Sequence, residues 1–84
     1  MLYNSQTVGQ VIGKLRTERG MSQEVFSGLA GIARTHLTMI ENGSKSANVE
    51  TLWKISSALN MRLSEFFYLI EEQHFSNENN CRQP

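Results

Sequence analysis

Between Ser22 and Gly43 the chain reads SQEVFSGLAGIARTHLTMIENG. The polar groups in this stretch suit recognition of planar hydrogen-bonding edges better than bond breaking. Arg34 carries a fork of donors that matches two adjacent acceptors, such as guanine O6 and N7. The Gln23 carboxamide offers one donor and one acceptor, the complement of adenine N6 and N7. Thr35 and Thr38 can bond a base or a phosphate, and Met39 can pack on a thymine methyl. These five are the candidate base readers. Ser22 opens a segment whose free backbone N–H groups suit a phosphate. His36 flanks the readers, and Asn42, Ser44, Lys45 and Ser46 add donors in the following loop, so these join Ser22 as candidate backbone contacts.

Catalytic chemistry has little to stand on. The chain contains no Asp, and all eight acidic residues are Glu. His36, His74 and Cys81 are widely spaced, without a C-x-x-C or H-x-x-x-H arrangement, so no metal site is expected. The six glycines are scattered at 9, 13, 20, 28, 31 and 43 and form no phosphate loop. No enzymatic activity and no cofactor are expected.

The elements that must position these side chains follow from the apolar spacing, which predicts five short helices and no strand. Val8, Val11, Ile12 and Leu15 share one face of a first helix that Gly20 ends. Ser22 caps a second, with Val25, Phe26 and Leu29 turned inward. The third starts near Ile32 or Ala33, with Ala33, Leu37 and Ile40 as its apolar stripe, and stops at Asn42-Gly43. At about 100° per residue, Thr35 and Met39 fall opposite Leu37, flanked by His36 and Thr38, with Arg34 at the N-terminal tip. Asn48 caps a fourth helix with Leu52, Ile55 and Leu59 inside and Asn60 just past its end. Ser64 caps a fifth that runs to about Gln73. Two helices of about eight residues joined by a turn containing Gly31 make the helix-turn-helix plan, whose second helix enters the DNA major groove.

With 84 residues the chain holds one domain, expected over residues 1–74, followed by a disordered tail over residues 75–84 that lacks apolar period. No apolar run approaches a membrane span, the N-terminus lacks signal-peptide character, and one cysteine suits a reducing, cytoplasmic setting. The zero net charge is an average. Residues 1–48 carry five basic and three acidic groups (5 − 3 = +2), and residues 49–84 carry three and five (3 − 5 = −2). A basic half beside an acidic half is compatible with one anion-facing surface.

Leu15-Arg16, Gly20, Ser22-Gln23-Glu24, Gly31-Ile32, Leu37, Ile40-Glu41, Gly43, Thr51-Leu52, Ile55, Ala58-Leu59 and Phe66-Phe67 together resemble the Cro/C1 (XRE-type) helix-turn-helix family over about residues 8–67. Within it, the chain looks most like controller proteins of restriction–modification systems. The resemblance implies a lambda-repressor-like all-α fold, DNA contacts from Gln23, Arg34, Thr35, Thr38 and Met39, backbone contacts from the Asn42–Ser46 loop, and a structural ion pair between Arg16 and Glu41. Ser27, Gly28 and Asn60 depart from the family's usual residues, and the loop before the fourth helix lacks its common proline.

Phe66 to Ile70 are five consecutive apolar residues, more than one helical stripe can bury. Leu63, Phe66 and Ile70 can face the core. The surplus predicts a homodimer interface, expected to involve Phe67, Leu69 and Ile70. A sequence-specific, dimeric regulator of transcription on a roughly palindromic operator follows as the expectation, with double-stranded DNA as partner and no membrane. The alternative is an antitoxin-like protein-interaction module that also regulates its own gene.

Overall fold

In the computed structural model the backbone is described over residues 3–82 and the side chains over residues 3–78. The chain folds as α1 (Ser5–Glu18), α2 (Gln23–Ala30), α3 (Arg34–Glu41), α4 (Val49–Ala58) and α5 (Leu63–Arg82), with no strand among the described residues. The all-α class is as expected.

The connections are built from caps. Asn4 Oδ1 accepts from the Gln6 and Thr7 N–H groups, Ser22 Oγ from Val25 and Asn48 Oδ1 from Thr51, satisfying donors that helix starts leave free. Four helices end alike. Gly20, Gly31, Gly43 and Asn60 have positive φ, and the next residue's N–H reaches back to Arg16, Ser27, Met39 and Ser56 carbonyls respectively. This is the Schellman closure, which turns the chain sharply. At Gly31 (φ 73°) it makes the turn between α2 and α3, a conformation that costs a side-chain-bearing residue about 1–2 kcal/mol. Asn60 tolerates the same region at φ 58°.

The helices pack in a ring, α1 on α3 and α5, α2 on α3 and α4, and α4 on α5. Val8, Val11, Ile12, Phe26, Leu37, Ile40, Leu52, Ile55, Leu59, Phe66 and Ile70 form one continuous core. The approach of α1 to α3 is close because Gly9 has no side chain. A Cβ there would sit 2.5 Å from Glu41 O.

Several expectations are corrected. Val25 and Leu29 are 54% and 64% exposed. The inward stripe of α2 is instead Phe26, Ser27 and Ala30, and Val25 and Leu29 lie about 60–100° to one side of Phe26. Ala33 is exposed, since it precedes α3 as its N-cap. Ser64 is not a cap, because α5 starts one residue earlier. There the Arg62 carbonyl accepts from Phe66 N–H, and Glu65 Oε1 accepts from Arg62 N–H in half of a capping box. Ile70, expected at a dimer interface, is buried in the protomer core, one turn from Phe66. Leu69 is half-buried against the same core.

The largest difference is at the C-terminus. Residues 75–82, expected as a tail, continue α5. Neither Gly nor Pro interrupts the segment, and polar clamps replace apolar packing. Gln73 Nε2 donates to Asn77 Oδ1 at 2.8 Å, and Asn77 Nδ2 donates to Gln10 Oε1 at 2.9 Å on α1. His74 Nε2 lies 3.2 Å from Glu78 one turn on. The Cys81 side chain and residues 83–84 lie outside the described part.

Gly28 sits on α2 with an ordinary helical φ, and a Cβ there meets nothing within 4 Å among the described residues. Gly28→Ala should therefore raise stability by up to about 1 kcal/mol, through helix propensity and a less free unfolded chain. A thermal melt reads this as an upward shift in Tm.

Candidate nucleic-acid interface

α2 and α3 meet across the Gly31 turn, so α3 is presented as an outer helix whose inner side is Leu37 and Ile40, 0% and 1% exposed. Burying both fixes the roll of the helix about its axis. The opposite side then carries Thr35, Thr38 and Met39, with Arg34 beside them at the N-terminal tip; all four are exposed, Met39 at 38%. His36 is half-buried on the flank. Thr38 Oγ lies 3.0 Å from the Arg34 carbonyl and 3.0 Å from Gln23 Oε1, two acceptors that share its one hydroxyl hydrogen. The outward face offers a guanidinium, two hydroxyls and a thioether on a surface of small side chains. That is a shape and chemistry suited to insertion beside base edges.

α3 has no side-chain cap of its own, and what anchors its far end is an ion pair. Arg16 Nε donates to Glu41 Oε2 at 2.8 Å, Arg16 Nη2 to Glu41 Oε1 at 3.0 Å, and Arg16 Nη1 to the Met21 carbonyl at 2.7 Å. The two side chains are only 14% and 10% exposed. The Glu41 hydrogen bond raises the Arg16 pKa above its ordinary value, desolvation works against this, and the carboxylate's charge adds to the rise. The pairing expected from the resemblance is present in a bidentate form.

Gln23, at the start of α2, is half-buried and already engaged on both ends. Its Nε2 donates to Glu41 Oε1 at 3.0 Å, and its Oε1 accepts from Thr38 Oγ at 3.0 Å. Positions 18 and 15 residues apart carry no periodic signal, so this link was not legible in the sequence. The only pointer to it was that a carboxylate paired with one arginine keeps spare acceptor positions.

The loop after α3 flanks the same surface. Asn42 Oδ1 accepts from Ser44 N–H at 2.9 Å, and Ser44 Oγ lies 3.3 Å from the Met39 carbonyl. Ser46 Oγ is 3.0 Å from Ser5 Oγ at the start of α1, and Lys45 is exposed. Ser22, already bonded to Val25 N–H as the cap of α2, is exposed beside Gln23. The structure thus gathers Gln23, Arg34, Thr35, Thr38 and Met39 on α2 and α3, and places Asn42, Ser44, Lys45 and Ser46 in the adjoining loop. Of the residues expected at a dimer interface, only Phe67 stays exposed, at 38%. It lines an open groove with Tyr3, Val8, Leu52 and Ile70.

No helix among the described residues is long and apolar enough to cross a membrane. Over 66 residues the chain is 39% identical to the control protein C.MunI of Mycoplasma sp, covering 77% of this chain and 89% of that protein. The fold superposes on the restriction–modification controller protein C.Esp1396I with a TM-score of 0.81 at 26% identity, covering 90% of this chain and 99% of the other. For the controller C.AhdI from Aeromonas hydrophila the TM-score is 0.71 at 29% identity, covering 74% and 94%. Residues 12–66 match the helix-turn-helix family HTH_3. That match spans more than half of the sequence, and the chain belongs to this Cro/C1-type helix-turn-helix family.

Proposed function

We propose that the protein is a cytoplasmic, sequence-specific DNA-binding regulator of transcription that acts as a homodimer on a roughly palindromic operator, as a controller of a restriction–modification system. The observation that carries the reading is the exposed face of α3, where Thr35, Thr38 and Met39 stand opposite the buried Leu37 and Ile40 with Arg34 at the N-terminal tip. Gln23 joins them from α2 as a base reader. Ser22, His36, Asn42, Ser44, Lys45 and Ser46 take the sugar–phosphate contacts that set register. The names of the relatives, control and controller proteins, support the same role. No catalytic step is assigned to any residue.

The exposed Phe67 and the groove beside it suit a second copy of the chain, which would set two recognition helices about 34 Å apart on one face of the duplex. Occupancy is then the mechanism, a bound dimer blocking a promoter or recruiting polymerase.

Selection of bound duplexes from a random library at near-physiological salt tests the proposal. Enrichment of two half-sites related by two-fold symmetry supports it. Binding without enrichment that vanishes as salt rises leaves generic phosphate affinity and overturns it. On the selected operator, Arg34→Ala should cost about 1–3 kcal/mol and relax one position, whereas Lys45→Ala should weaken all duplexes alike and reduce the salt slope by about one. Equal loss on every duplex with Arg34→Ala would remove it from base readout.

A further inference from the structure

Four side chains run without a break from the interior to the outward face of α3. Arg16 holds both oxygens of Glu41, Glu41 Oε1 also accepts from Gln23 Nε2, and Gln23 Oε1 accepts from Thr38 Oγ. The first two members are largely buried and the last is exposed. A carboxylate in this setting has only acceptor positions. It therefore dictates which end of the Gln23 amide turns toward it, since a flipped amide would set oxygen against oxygen. Thr38 is compatible with this assignment but does not impose it. Its single hydroxyl hydrogen is shared between Gln23 Oε1 and the Arg34 carbonyl, and its lone pairs could accept from the nitrogen of a flipped amide; the polarity is set by Glu41.

We propose that Glu41 is a positioning residue for sequence readout. Clamped by Arg16, it locks the Gln23 carboxamide with nitrogen toward the ion pair and oxygen toward α3, presetting Gln23 to read adenine at one base pair of each half-site. The valence count fits. Gln23 Nε2 spends one of two hydrogens on Glu41, and Oε1 spends one of two acceptor positions on Thr38. One donor and one acceptor remain, the complement of adenine N7 and N6. An untethered glutamine could present its amide either way round and would have to be ordered on binding. Here the ordering is done in the free protein, so adenine is favoured over bases that need the opposite polarity. The buried ion pair thereby acts on recognition as well as on the fold, through a residue that need not touch DNA.

The inference rests on the reading of α2 and α3 as a base-reading surface, and the test separates the two. The full-length wild type, Glu41→Gln, Gln23→Ala and the double variant are each put through duplex selection. Thermal melts confirm folding, and affinity for a duplex of unrelated sequence is measured beside them. A glutamine at position 41 keeps a contact to Arg16 but can turn either end toward Gln23, so its polarity control is lost. The expected result is an approximately tenfold loss of preference at one base pair per half-site, the same pair whose preference Gln23→Ala removes. Preferences at other positions and affinity for the unrelated duplex stay as in the wild type, and the double variant loses nothing further.

Flattening of a different base pair, a uniform loss at all positions, or an effect of Glu41→Gln that persists beside Gln23→Ala would each overturn the proposal. So would a selected profile that Gln23→Ala leaves unchanged. If the wild type itself selects no sequence, the underlying reading fails and this one with it. Should Glu41→Gln not melt cooperatively, Arg16→Lys serves instead. It keeps the charge but removes the two-point grip on Glu41, and it should flatten the same base pair by a smaller factor. An unchanged profile in a folded Arg16→Lys would count against the relay.

Discussion

Gly9→Ala should lose about 3 kcal/mol of stability and, with it, ordered presentation of α3. In an open helix the same change would gain about 1 kcal/mol from propensity. At Gly9 the added methyl meets backbone, not side chain: it would lie 2.5 Å from Glu41 O and 2.8 Å from Glu41 C. Carbonyls cannot rotate away as a flexible side chain can, so α1 and α3 must separate. Both offended residues, Ile40 and Glu41, end α3, and moving them tilts the whole outward face. Urea denaturation measures the loss. The opposite sign expected for Gly28→Ala makes the pair a controlled comparison, because both replace a helical glycine by alanine. A Gly9→Ala protein as stable as the wild type would mean that α1 and α3 do not approach as described.

Arg16→Ala should cost about 3 kcal/mol, the figure for breaking a buried pair and leaving one charge uncompensated. The Glu41 carboxylate would stay largely buried with Gln23 as its remaining donor, and the Met21 carbonyl would lose a donor as well. Lys54 and Glu50 provide the contrast. At 3.7 Å and with side chains 45% and 81% exposed, that surface pair is worth a few tenths of a kcal/mol. The pH behaviour follows from the direction of the Arg16 shift. Its folded pKa is raised, so the group contributes stability that is present below its unfolded pKa and lost only as pH rises through the still higher folded value. Across the neutral range the contribution is therefore flat. Chemical denaturation at two neutral-range pH values checks both points, and a loss below about 1 kcal/mol would put the pair in the surface class.

Much of the fold was legible because it is written in local signals. The i, i+3, i+4, i+7 set of Val8, Val11, Ile12 and Leu15 and the inner set of α4 are buried as their spacing requires. Gly20, Gly31, Gly43 and Asn60 end helices because few residues accept positive φ. The outward face of α3 could be read from angles relative to Leu37, since burying one side of an eight-residue helix determines the other.

What stayed hidden depends on partners distant in sequence. Val25 and Leu29 are apolar enough to be taken for core, but α2 is covered on one side only and they fall outside that stripe. The end of α5 has no apolar period, and its order comes from Asn77 meeting Gln10 and Thr7, residues 67 and 70 positions away. The tether on Gln23 is of the same kind. Polar side chains meeting across helices leave no periodic trace in a single sequence.

The packing of α5 on α1 has a consequence for how the molecule comes into being. Synthesis finishes α3 by residue 41, yet the parts of the apolar faces of α1 and α4 that α5 covers stay open until Phe66 and Ile70 have emerged. Until then a growing chain displays those faces to its surroundings, and the α1–α5 contacts must close a loop spanning most of the polypeptide. An N-terminal half therefore lacks the cover that α5 supplies to α1 and α4. A ribosome stalled before residue 66 carries the complete outward face of α3 on a scaffold that lacks its closing helix.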